Sequence, residues 1–149
     1  MVSKNKDLKY CYKYPRAAMT VDAIVVADNF SMDMILLIQR KNEPFEGKWA
    51  LPGGFVDMEE TLSEACHREL FEETGIKEVK LNQFYTFDAI DRDPRHRTFT
   101  TVFEGRIQET LPVIAGDDAD KADWFPIISL PEMAFDHAEI IHKFVKEKL

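Results

Sequence analysis

The segment RELFEETG, Arg68 to Gly75, places Glu69, Glu72 and Glu73 within five residues. Its flanks predict a helix. Thr61-Leu62-Ser63-Glu64 has the spacing of a capping box, and Gly75 suits the left-handed residue that closes a helix, so the helix runs from Leu62 to Thr74. With about 100° per residue and Glu69 at zero, Glu73 lies near +40°, Glu72 near −60°, Leu62 near +20°, Ala65 near −40° and Cys66 near +60°. The carboxylates therefore continue the apolar stripe of the first two turns, whereas a solvated helix sets its charges opposite that stripe. Like charges at this spacing repel by about 0.2–0.5 kcal/mol per pair. Turned inward, they need a compensating cation.

Arg68 alone is insufficient for three carboxylates. No histidine or cysteine cluster offers a softer metal a site, and ligation by oxygen alone favours Mg²⁺ or Mn²⁺. Mg²⁺ held by a few carboxylates keeps waters and takes substrate phosphates as further ligands, which points to phosphate chemistry. The alternative is an acidic, solvated helix with ordinary i,i+4 pairs.

Working outward, 149 residues suit one domain, read as 14–149 after a polar N-terminal arm over 1–13. Hydrophobic residues at 45% allow a sizeable core. The net charge of −8 argues against a nucleic-acid partner, although residues 1–16 carry five basic side chains against Asp7. Cys11 and Cys66 match no zinc or redox spacing. The N-terminus lacks the apolar stretch of a secretory signal, and no apolar run approaches the roughly 18 residues of a membrane span. A cytoplasmic protein with no membrane partner is expected.

Strands are predicted over Met19–Ala27 and Met34–Arg40, the second apolar on both faces and hence central. Lys41–Gly54, with two prolines and three glycines, reads as a long shaped loop. Further strands are expected near Val79–Ala89, over Thr98–Ile107 and over Asp123–Ile127. Charged loops lie at Asp91–Arg97 and Ala115–Ala122. Asp136-His137-Ala138-Glu139 reads as a second capping box, opening a helix striped by Ile140, Ile141, Phe144 and Val145. The fold class is α/β, an α/β/α sandwich with a mixed sheet between helices.

The context of RELFEETG is more specific. From Gly54 the chain reads GFVDMEETLSEACHRELFEETGI, with Gly54, Glu60, Arg68-Glu69-Leu70, Glu72-Glu73 and Gly75-Ile76 at fixed intervals. This resembles the Nudix box at every defined position, and the chain resembles the Nudix hydrolases. YPRAAMTVD, PFEGKWALPGGFVD, DRDPRHR, GDDADKADWF and LPEMAFDH extend the likeness to the bacterial ADP-ribose pyrophosphatase branch. His96 departs from it, standing where a small residue such as glycine is usual.

The resemblance implies hydrolysis of a nucleoside diphosphate linked to another moiety, with ADP-ribose yielding AMP and ribose 5-phosphate as the first expectation. Another nucleotide, such as an oxidised nucleoside triphosphate or a dinucleotide, is the alternative within the class. It implies metal ligation by Glu69, Glu72, Glu73 and the carbonyl of Gly53. Arg68 is expected to pair with a box carboxylate, and Glu60 to brace the loop onto the helix. The general base is Glu69 or a loop acid, with Asp118 the candidate. Asp117 and Asp118 equally suit a role in shaping the loop.

Arg92, Arg95 and Arg97 supply arginine forks suited to a diphosphate or terminal ribose. Trp49 and Phe45 could stack on a base or simply support the Pro-Gly-Gly turn. His137 is expected to be structural. Homodimers are common among such proteins, and one is expected. A competing expectation is an ADP-ribose sensor without turnover. Such relatives carry a C-terminal winged helix, for which the residues after the last predicted helix leave no room.

Overall fold

Residues 18–29 alternate between two cores, and that alternation organises the molecule. The computed structural model describes residues 10–117 and 119–149. Of the expected N-terminal arm, residues 1–9 lie outside the described ones, as does Asp118. Strand β1 (Ala18–Asn29) pairs antiparallel with β2 (Met32–Arg40). Strand β3 (Trp49–Ala50) pairs with the end of β2 beyond its β1 contacts, and β4 (Gly53–Phe55) pairs with β1. After helix α1 (Leu62–Thr74), β5 (Asn82–Phe87) pairs with β6 (Thr98–Ile107), which runs parallel to β1. Strand β7 (Ala119–Pro126) pairs with β2, and helix α2 (His137–Lys148) closes the described fold.

Val21, Ala23, Val25 and Leu36 face one layer with Ala65, Cys66 and Leu70 of α1. Ile24, Val26, Ile35 and Leu37 face the other with Ile140, Ile141 and Phe144 of α2. Burial on both faces explains why β1 and β2 read as continuous apolar runs. The result is the mixed sheet between helices that the sequence predicts.

Helix α1 has the expected bounds. The Thr61 hydroxyl accepts from Glu64 N, the Glu64 carboxylate accepts from Thr61 N, and Gly75 closes the helix at φ 77°. The second capping box does not form. Asp136 makes no side-chain cap bond, because its carboxylate is taken by Arg92. Strand β7 begins inside the expected Ala115–Ala122 loop, where Ala122 lies opposite Ile38. Pairing with β2 satisfies the backbone there and overrides a charged, loop-like composition. Strands β3 and β4 were hidden within the predicted Lys41–Gly54 loop by their shortness and glycines. Glycine in a strand marks close backbone approach, and Gly53 lies opposite Asp22.

Candidate active site

Strands β1, β2 and β4, the second half of α1, and the loop before β6 surround a cleft of about 440 Å³. Gly53, Gly54, Arg68, Glu69 and Glu73 line one wall, and Arg40, Arg92 and Arg95 contribute cations. A bidentate fork anchors the acidic wall. Arg68 Nε and Nη2 donate to the two Glu60 oxygens at 2.9 and 2.6 Å. Its Nη1 donates to Glu69 Oε1 at 2.8 Å and Glu72 Oε2 at 3.2 Å. Its Nη2 also donates to the Phe55 carbonyl at 3.1 Å. The Arg68 bond and then the Asp57 N–H pull the Glu60 carboxyl down to about 2. Glu60 thus braces loop to helix.

The glutamates differ in depth. Glu73 is buried, and its Oε2 accepts from Gly53 N at 3.0 Å. Glu69 has a side chain only 14% exposed. Burial raises its pKa, and the bond from Arg68 opposes this. Glu72 corrects the inward-stripe expectation: its side chain is 54% exposed and it does not line the cleft. At the C-terminal end of α1 the buried face narrows to Leu70, Glu73 and Thr74, which leaves Phe71 and Glu72 outside.

Among the described residues, no three carboxylate, imidazole or thiol groups converge closely enough to enclose an ion as they stand. The donor set nevertheless fits a hard divalent cation in kind. Glu69 and Glu72 meet on one guanidinium nitrogen, and Glu73 bonds the residue whose carbonyl is the fourth candidate ligand. The donors are all oxygen, the chemistry of Mg²⁺ or Mn²⁺ sites.

The arginine loop divides. Arg92, with a side chain 4% exposed, forks onto Asp136 at 2.8 and 3.0 Å and lines the cleft. Arg95 forks onto Asp93 and lies over the rings of Phe55 and Phe135, also in the cleft. Burial pushes the Asp93 carboxyl up, but the Arg95 bonds outweigh it and hold it below its usual value. Arg97 instead donates to the carbonyls of Asp88 and Ala89, stacks on Phe99, and is not among the cleft residues. Trp49 is also outside the lining. It packs edge-on against Phe125 at 4.6 Å because β3 turns its ring toward the α2 core. Phe45 packs on Phe135 at 4.8 Å, a scaffold contact. His96 adopts no left-handed backbone, and its Nδ1 lies 2.7 Å from Thr98 Oγ1, so the loop accommodates its side chain.

The sequence reading did not single out Arg40 or Asp22, and it expected His137 to be structural. Arg40 donates to the carbonyls of Pro44 and Asn42 and lies 4.9 Å from the Phe135 ring. Burial, then Arg95, lowers its pKa. Asp22 and His137 are both buried at the cleft floor. The available signal for Asp22 was a carboxylate inside the apolar run Met19–Ala27. His137 was legible as a structural residue beside Asp136, but its place in the cleft was not.

Fold and site together define an α/β protein in which an acidic helix meets a Gly-Gly strand beside an arginine-lined cleft. The model of the NUDIX domain family matches residues 18–144, and the chain belongs to that family. It is 42% identical over 152 residues to the ADP-ribose pyrophosphatase of Methanocaldococcus jannaschii, spanning 99% of this chain and 84% of that one. The NUDIX domain of Shewanella oneidensis NrtR, solved with ADP ribose, superposes with a TM-score of 0.84 at 28% identity and 95% coverage of each chain. A bifunctional NMN adenylyltransferase/ADP ribose pyrophosphatase from Francisella tularensis, solved with AMP and a manganese ion, gives 0.78 at 32% identity. That match covers 91% of this chain and 43% of the other.

Proposed function

We propose that this Nudix hydrolase cleaves ADP-ribose to AMP and ribose 5-phosphate. The observation that carries the reading is the cleft itself, which brings Glu69 and Glu73 together with Arg92 and Arg95 in one lining. The 42% identity to an ADP-ribose pyrophosphatase supports the same substrate. One water oxygen joins one phosphorus, the bridging phosphoanhydride bond breaks, and the other phosphate leaves. Glu69, Glu72, Glu73 and the Gly53 carbonyl would hold Mg²⁺ or Mn²⁺, which would supply Lewis-acid charge neutralisation and a more acidic attacking water.

The protein's own groups do the rest. Arg68 holds the Glu69 carboxylate in one orientation. Glu69 is the first candidate for the general base, since burial raises its proton affinity. Asp118, the second candidate, lies outside the described residues. Arg92 and Arg95 present guanidinium groups already oriented by Asp136 and Asp93, so little freedom is lost on binding an anion. Phe55 and Phe135 line the cleft beside them.

Purified protein incubated with ADP-ribose and Mg²⁺ should release AMP, resolved by ion-pair chromatography. Binding of ADP-ribose with no AMP formed would replace hydrolysis with the sensor reading, which the likeness to the NrtR domain makes the specific rival. A panel of oxidised nucleoside triphosphates and dinucleotides run alongside tests the substrate choice. We read the chain as a cytoplasmic homodimer with no nucleic-acid or membrane partner. The net charge of −8 supports the exclusion of nucleic acid. Among the described residues no helix is long and apolar enough to cross a membrane. Light scattering should return twice the chain mass, and a single chain mass would refute the dimer.

A further inference from the structure

Asp22 and His137 form a buried polar pair that the hydrolytic scheme above leaves unused. Asp22 sits in the middle of β1, and His137 is the first residue of α2. Leu51 N–H donates to His137 Nδ1 at 2.9 Å. That bond assigns the ring proton to Nε2, which faces Asp22 Oδ1 at 3.6 Å. Thr100 Oγ1 donates to the other Asp22 oxygen at 2.5 Å. Burial keeps the imidazole neutral by lowering its pKa. An apolar pair would avoid the desolvation cost of these groups. What the polar pair adds is direction.

The direction is imposed on three consecutive residues. Leu51 N is held by His137 from α2. The Pro52 carbonyl accepts from Ala23 N of β1 at 2.8 Å. Gly53 N donates to Glu73 of α1 at 3.0 Å. Three separate elements thus grip the segment that ends at the candidate carbonyl ligand, and His137 supplies the grip from the α2 side.

We propose that His137, oriented by Asp22, is a positioning residue that fixes the Leu51–Gly53 segment so that the Gly53 carbonyl is presented to the divalent cation. This rests on Gly53 and the helix glutamates being the metal ligands. Groups that orient a metal's ligands typically change its affinity by about 10–100-fold when removed. A histidine that only filled space would move stability and leave affinity alone.

The test is Mn²⁺ titration of the metal-free protein followed by electron paramagnetic resonance, with no nucleotide present. His137→Leu should weaken Mn²⁺ binding about tenfold or more. His137→Asn, whose Oδ1 takes the place of Nδ1 as acceptor for Leu51 N–H, should restore most of it. If His137→Leu does not fold, His137→Gln serves instead. Its amide reaches the Nε2 position and leaves Leu51 N–H without that acceptor. Wild-type affinity in the Leu or Gln variant, while Glu69→Gln loses the ion, overturns the proposal. Wild-type affinity in Glu69→Gln overturns the ligand assignment, and with it this proposal. Neither outcome touches the choice of ADP-ribose, because no substrate enters the measurement.

Discussion

Glu69→Gln should lose about three decades of kcat while the fold survives. Loss of one carboxylate from the ion's ligand set removes several kcal/mol of charge stabilisation in the transition state, and about 1.36 kcal/mol corresponds to tenfold in rate. The amide keeps the side chain's size and can still accept from Arg68 Nη1, now at 2.8 Å from Glu69 Oε1. Its neutrality removes a carboxylate whose pKa burial has raised, meaning that the fold disfavours its ionised form. The metal-free variant should therefore melt at or above the wild-type temperature. Added Mg²⁺ should raise the wild-type melting temperature, because a ligand bound only by the folded state stabilises it, and should shift the variant much less. Steady-state AMP release and scanning fluorimetry with and without Mg²⁺ make the measurement. Activity above a tenth of wild type would sink the role of Glu69 as both ligand and base.

The same residue shows where sequence reading succeeded. The bounds of α1 were legible because its stop and start signals are local: Thr61, Glu64 and Gly75 act within one turn of the chain they terminate. The Nudix spacing was legible because its members lie on one short segment. Helical arithmetic placed Glu69 and Glu73 inward correctly, but it could not see that α1 leaves its last turn uncovered on the Glu72 side. Depth depends on what packs against a helix, not on its phase alone.

Long-range pairings were less legible. Leu51 and His137 stand 86 positions apart, and Thr100 and Asp22 stand 78 apart. Arg97 and Trp49 have the side chains a nucleotide site would use, yet the fold spends one on turn carbonyls and the other on the core. Asp136 carried a convincing cap signature, and Arg92 outcompeted the helix N-terminus for its carboxylate. A bidentate charged bond is stronger than a neutral cap bond. In each case a partner from a distant element changed the use of a residue whose local pattern was read correctly.

Gly53→Ala should reduce both stability and turnover, and its effects should separate from those of Gly54→Ala. A Cβ at Gly53 would overlap the Val21 carbonyl oxygen and lie 2.5 Å from Asp22 Oδ1. Val21 and Asp22 cannot yield easily, because β6 holds the same residues from the other side, opposite Thr101 and Val102. Strand β4 must lift away, straining the Asp22–Gly53 register and the bond from Gly53 N to Glu73. Overpacking of this kind costs about 1–3 kcal/mol. A displacement of about 1 Å at a reacting site costs about a hundredfold in rate.

A Cβ at Gly54 would meet only the end of the Glu69 side chain, 2.5 Å from Oε1, which can swing aside. Gly54→Ala should thus lower turnover with little change in stability. Urea unfolding paired with kcat measured at saturating Mg²⁺ distinguishes the two. If Gly53→Ala keeps wild-type turnover despite a lower unfolding midpoint, the Gly53 carbonyl is not part of the catalytic assembly.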